Sequence, residues 1–198
     1  VTDKHAALRV AGMIRNLAAT VQGFTGNAFL VTGERTVLVD AGNDFDVARA
    51  VREHADGLDA LVLTHTHSDH VGNLPDVVED FGVDVWGYDA GHGAVDHRLT
   101  DGGQIRLGDH DYDMVHTPGH KNDHVCLYAP ASGVLFAGDL VFANGGFGRT
   151  DLAEGDRPRL VDSIERLLDQ TGAVEQLHAG HGPSVTTSPR RDIERALQ

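Results

Sequence analysis

A single cysteine, Cys126, is all that the 198 residues contain, so a disulfide within the chain is excluded and a zinc–thiolate cluster cannot be built. Long apolar runs are missing as well. Apolar residues make up 40% of the sequence, but their uninterrupted stretches are a few residues long, against roughly 20 for a membrane helix. No membrane span is expected. Lysine is nearly absent, with Lys4 and Lys121 against 14 arginines, and the formal net charge is −14 without any basic patch that could track phosphates. Nucleic acid is therefore not an expected partner. Aspartate greatly outnumbers glutamate. Dense carboxylates suit a halophilic, salt-filled cytoplasm, where screening mutes their repulsion; a merely acidic protein is the alternative. The first nine residues lack the basic segment and apolar run of a secretory signal, so a cytoplasmic location is expected.

What the sequence has instead is histidine, thirteen in all, so a metal here would be held by nitrogen and oxygen. There is no internal repeat, low-complexity block or linker, and one domain over 1–198 is expected. Apolar, β-branched runs over 28–32 and 36–40 read as a hairpin, 44–54 has helical spacing, and 60–64 reads as a buried strand. A helix over 76–81 and a strand over 83–88 follow, then paired strands over 104–107 and 111–116. Strands over 125–129 and 133–137, an amphipathic helix over 157–169 and an apolar run over 173–177 complete the pattern. Two β-rich halves with outer helices imply a layered α/β (α+β) sandwich with its functional residues on loops at one edge.

The strand over 60–64 runs straight into His65-Thr66-His67-Ser68-Asp69-His70. In an extended or tightly turned segment alternate residues share a face, so two imidazoles can meet one ion while Asp69 and His70 serve another; a solvated polar turn is the alternative. Three further candidates stand where a strand gives way to a loop: His120 in Thr117-Pro118-Gly119-His120, Asp139 in Phe136-Ala137-Gly138-Asp139, and His181 in Gly180-His181-Gly182. Proline fixes φ and glycine permits the sharp turn that aims such side chains inward.

In content and order, the motifs HTHSDH, TPGH, AGDL and GHGP resemble those of the metallo-β-lactamase superfamily, over nearly all of the chain. The resemblance implies an αββα four-layer sandwich with a two-metal site. His65, His67 and His120 would hold the first ion and Asp69, His70 and His181 the second, with Asp139 bridging; Asp69 and Asp139 are then the catalytic carboxylates. Two zinc ions per chain are expected, with iron or manganese as alternatives, because imidazole and carboxylate accept all three. Asp40 matches a family position near the site, where it would orient a ligand histidine or simply start a turn.

Class B1 β-lactamases usually lack a histidine after the aspartate and use cysteine as a ligand, which disfavours antibiotic hydrolysis here. Flavodiiron relatives carry glutamate at the position of His67, and the long nuclease members carry additional domains. Residues 145–152 are similar to the loop after the bridging aspartate in the glyoxalase II and persulfide dioxygenase branch. That likeness implies that Arg149 holds a carboxylate of the substrate's thiol part; a loop-shaping pair with Asp151 is the alternative. Lys121, in an unusual Lys121-Asn122-Asp123-His124 stretch, is either a substrate contact or a surface residue. The expected activity is a glyoxalase II-like hydrolase in which metal-supplied hydroxide cleaves a 2-hydroxyacyl thioester. A persulfide dioxygenase-like oxidoreductase, with one iron on His65, His120 and Asp139, is the alternative. The thiol is left open, since classical glyoxalase II binds glutathione with a further C-terminal helical region. The chain is expected to act as a monomer or homodimer on a small molecule. His92, His97, His110, His116 and His178 lack a ligand motif and are not counted, and Cys126 reads as a core residue.

Overall fold

A computed structural model of the chain describes residues 12–89 and 92–198; the reading of the N-terminal nine residues lies outside them. Two sheets face each other. The first runs β1 (Met13–Asn16), β2 (Phe29–Thr32), β3 (Val37–Val39), β4 (Ala60–Val62), β5 (Val85–Gly87) and β6 (His97–Arg98) in that spatial order. It is antiparallel across β1 to β3 and parallel from β3 to β6. The second consists of β7 (Gln104–Leu107), β8 (His110–His116), β9 (Val125–Ala129), β10 (Val134–Gly138) and β11 (Gln176–Ala179), in the order β11-β10-β9-β8-β7.

The central strands β3, β4, β9 and β10 read as unbroken apolar runs because both of their faces are covered. In β2 and β3, Phe29, Val31, Val37 and Val39 point between the sheets, where they meet Tyr112, Met114, Leu127 and Phe136 of the second sheet. Their neighbours Leu30 and Leu38 point outward, onto α1 (Val47–Arg52) and α3 (Leu74–Phe81). On the far side Cys126, Tyr128, Leu135 and Ala137 pack under α4 (Arg157–Gln170) and α5 (Pro189–Arg195). The layers are thus helix, sheet, sheet, helix.

Local chemistry sets the helix limits. The helical pattern over 44–54 starts late, because Asp44 is left-handed (φ 57°) and Asp46 caps α1 by accepting from the Arg49 N–H. α3 carries Pro75 in its first turn and ends at Gly82, left-handed at φ 62°. α4 begins at Asp156, whose carboxylate accepts from the Arg159 N–H, and its buried stripe is Leu160, Ser163, Ile164 and Leu167. Truncating one such leucine to alanine typically costs 2–5 kcal/mol. β1, β6, α5 and the one-turn helix α2 (Ser68–Val71) have no counterpart in the sequence reading.

Candidate metal centre

The C-terminal ends of β3, β4, β8, β10 and β11 meet at one edge of the sandwich, and every ligand candidate lies there. Just past β3, Asp40 is held in the left-handed region at φ 56°. A non-glycine residue there carries strain on the order of 1 kcal/mol. Its carboxylate offsets this with three contacts: the Thr64 N–H donates to Oδ1 at 2.7 Å, the Thr64 hydroxyl to Oδ2 at 2.7 Å, and His70 Nδ1 lies 2.8 Å from Oδ2. The same hydroxyl is 3.1 Å from His65 Nδ1. One carboxylate therefore orients two imidazoles so that each Nε2 points into the site. The histidine run is tightly turned rather than extended, since His67 caps α2 and its turn brings Asp69 and His70 to a common side.

From the second sheet, His120 follows β8 and its Nδ1 is 2.7 Å from the Arg149 carbonyl, which leaves Nε2 facing inward. Asp139 follows β10, and its N–H donates to His124 Nε2 at 2.9 Å. The β10–β11 ladder slips between Phe136 and Gly138. Gly138 (φ 47°) is obligatory at this point, because a Cβ would lie 2.5 Å from His124 Nε2. Gly180 is needed for the same reason, since its Cβ would run into the Asp139 carboxylate.

Three groups of ligating atoms result: His65, His67 and His120; His65, His70 and Asp139; and Asp69, His70 and His181. His67 Nδ1 and His120 Nε2 are 2.8 Å apart, His181 Nε2 lies 3.0 Å from Asp69 and 3.5 Å from Asp139, and His70 and His120 each approach Asp139 at 3.4 Å. His65 Nε2, His70 Nε2 and Asp139 Oδ1 are buried with no hydrogen-bond partner. A lost hydrogen bond at a buried polar atom costs about 1–3 kcal/mol, and divalent cations held among these residues would satisfy all three atoms. The charges agree with that use. Burial, reinforced by the neighbouring histidines, holds the pKa of His65 well below its usual value, the neutral form a metal requires. Burial would also raise Asp139, but the His70 ring, whose Nε2 approaches to 3.4 Å, outweighs it and keeps the carboxylate ionised. His70 differs: its desolvation is outweighed by Asp40 and Asp139, which raise its pKa well above the usual range, so an ion bound at Nε2 would have to displace a proton.

Residues 21–181 match the family described as the metallo-beta-lactamase superfamily. The chain belongs to that superfamily. Among its relatives, hydroxyacylglutathione hydrolase GloC of Haemophilus influenzae is 29% identical over 191 residues, spanning 84% of this chain and 90% of the relative. In three dimensions the chain is similar to TTHA1623, solved in a di-iron-bound form, with 30% identity, a TM-score of 0.71 and 93% and 96% of the two chains covered. It is also similar to the B3 metallo-beta-lactamase BLEG-1, with 26% identity, a TM-score of 0.75 and the same coverage. The chain thus has the superfamily fold and carries a histidine–aspartate cluster fit for divalent metal.

All seven ligand candidates of this superfamily member converge, and Asp40 contacts His70 as an orienting residue would. The two expected substrate contacts are both engaged. Arg149 makes a two-pronged pair with Asp151 at 2.9 and 2.8 Å, and Lys121 reaches Glu154 at 3.0 Å and Asp123 at 3.6 Å. Cys126 is buried, its thiol pushed up to about 12 by burial. Residues that the sequence reading missed tie the ligand loops together. His124, held neutral by burial with a pKa of about 3, accepts from Asp139 and contacts the Thr117 hydroxyl at 2.8 Å. Buried Asp123 accepts from the Thr66 hydroxyl at 2.6 Å, joining the histidine run to the turn before β9. Asn27 donates to the carbonyls of Ala179 and Gly182, fastening the His181 loop. The available signal for His124 was its place immediately before an entirely buried strand.

Proposed function

We propose that the protein is a glyoxalase II-like hydrolase of 2-hydroxyacyl thioesters, using two divalent ions held by His65, His67 and His120 and by Asp69, His70 and His181, with Asp139 between them. The observation that carries this reading is the convergence of buried, unpartnered His65 Nε2, His70 Nε2 and Asp139 Oδ1 on one point, in a chain with a hydroxyacylglutathione hydrolase among its relatives. Bound there, such ions supply a water acidified from about 15.7 toward 7 and a polarised carbonyl, which is what thioester hydrolysis needs. The chain's own residues supply the rest. Asp139 and Asp69, both ionised, offer carboxylate oxygens that orient a water and accept its proton; Asp40 and the Arg149 carbonyl fix the rings of His70 and His120. A departing thiolate, with a pKa near 8.5, needs no protein acid. Arg149 and Lys121 would meet a substrate carboxylate only by exchanging the partners they already hold.

The test is release of free thiol from an S-lactoyl thioester by metal-loaded protein. Turnover no better than that of His67→Ala would reject the reading. A second reading, persulfide dioxygenase-like chemistry on one iron, is favoured by His120 and Asp139 lying 3.4 Å apart beside His65; the di-iron form of TTHA1623 supports iron as the metal but not a single ion. Oxygen uptake with a thiol persulfide would establish it in place of the first. The missing cysteine ligand argues only against cysteine-dependent lactamases, so the likeness to BLEG-1 makes a β-lactam the control substrate.

A further inference from the structure

Three cations flank His120, and they are not equivalent. Arg149 is neutralised by Asp151, and Lys121 by Glu154 and Asp123. Arg157, the first residue of α4, has no carboxylate partner among the described residues; Arg159, two residues on, also lacks one but donates to the Asn122 side-chain oxygen at 3.0 Å. The Arg157 guanidinium lies over the Phe147 ring, 3.6 Å from the centroid, and its Nη1 is buried without a hydrogen-bond partner among the described residues.

Both sides of this stack are anchored beside a metal-ligand candidate. Phe147 precedes Gly148, which packs so closely on His120 that a Cβ would lie 2.7 Å from its Nδ1. On the other side, the Asp156 N–H donates to the Gly119 carbonyl at 2.7 Å, just before His120. Helix energetics do not explain an arginine here, because a cation in the first turn opposes the helix dipole. Nor does surface chance explain its surroundings. Of the four exposed large apolar side chains among the described residues, Met13 lies by the opposite cleft, while Phe24 stacks on His181 and Phe147 and Leu152 stand in the loop that carries Arg149. The mouth thus presents apolar walls and, in Arg157, a guanidinium with no carboxylate partner among the described residues. A guanidinium braced on an aromatic face can offer an in-plane N–H edge to a carboxylate, and with Nη1 buried that edge is Nε and Nη2.

We propose that Arg157, propped on Phe147, takes the anionic tail of the thiol part of the substrate and so selects carboxylate-bearing thiols. The identity of that ligand as a thiol rests on the thioester reading. Binding of 3-mercaptopropionate and of the neutral 2-mercaptoethanol to the metal-loaded protein, measured by calorimetry, separates the two ideas. The parent protein should bind the carboxylate thiol about tenfold more tightly, a preference that shrinks in 1 M salt. Arg157→Gln should abolish the preference, and Arg157→Lys should keep part of it as a point charge. With lactoyl thioesters of the same thiols, Arg157→Gln should raise KM about tenfold for the anionic one, leaving kcat and the neutral ester unchanged. Equal loss on both thiols would reveal a packing role and overturn the proposal. So would an intact preference in Arg157→Gln, or its loss in Arg149→Gln alone. If Arg157 governs the binding preference but no thioester turns over, the anion site stands and the thioester reading fails.

Discussion

At one edge of the sandwich, seven histidine and aspartate side chains turn inward and leave buried nitrogen and oxygen atoms without partners. At the other edge a cleft of about 870 Å³ is lined by Glu34, Glu53, Asp56, Asp59 and Asp109, all exposed. There the carboxylates serve the backbone: Asp109 accepts from the N–H groups of Gly12 and Glu34, and Asp59 accepts from that of Thr36. That hollow is not the candidate site. What distinguishes the metal centre is convergence of atoms that the fold desolvates and then leaves unsatisfied. His178 sharpens the criterion, since its Nε2 is also buried and unpartnered, but its neighbours are the Phe29 and Phe136 rings at 5.1 and 5.2 Å rather than carboxylates. Isolation of one atom is not enough.

The largest effect should come from breaking the convergence itself. His65→Ala or Asp139→Asn is expected to lower kcat/KM by about 10³-fold or more and to release metal, whereas Asp59→Asn at the far cleft should leave both unchanged. Next comes His124→Ala, which opens a cavity and strands the Asp139 N–H. Urea denaturation should show a loss of about 3–4 kcal/mol. A third effect belongs to His178, whose pKa burial depresses to about 4. Above pH 6.5 the imidazole is neutral in folded and unfolded chains alike. Between 6.5 and 4 only the unfolded chain takes the proton, so stability falls with pH and the loss levels off near 3 kcal/mol below pH 4. Denaturation across that range should lose this slope in His178→Phe. The smallest of the four is Asp40→Asn, expected to weaken metal binding about 10–100-fold in competition with a chelator, with the fold retained.

Much of this was legible in the sequence because it follows from short-range rules. β-branched runs buried on both faces announced the central strands, and glycine or proline beside His120, Asp139 and His181 announced turns that aim side chains inward. What escaped depends on tertiary contact. β6 is two residues long and exists only through its pairing with β5. α2 is a single turn with no apolar period, stabilised by the His70 contact with Asp40. His124 and Asp123 sit in a polar stretch that resembles a surface loop until folding brings Asp139 and Thr66 against it. The free state of Arg157 was hidden for a related reason: pairing of Arg149 and Lys121 with local carboxylates is a matter of geometry, not composition.

The central claim is that these seven side chains form one two-ion centre, and elemental analysis of protein purified without added metal tests it most directly. The account predicts close to two divalent ions per chain, falling to one or fewer in His181→Ala and to none in His65→Ala. Protein that retains no metal, or a His65→Ala variant that retains both ions, would contradict it.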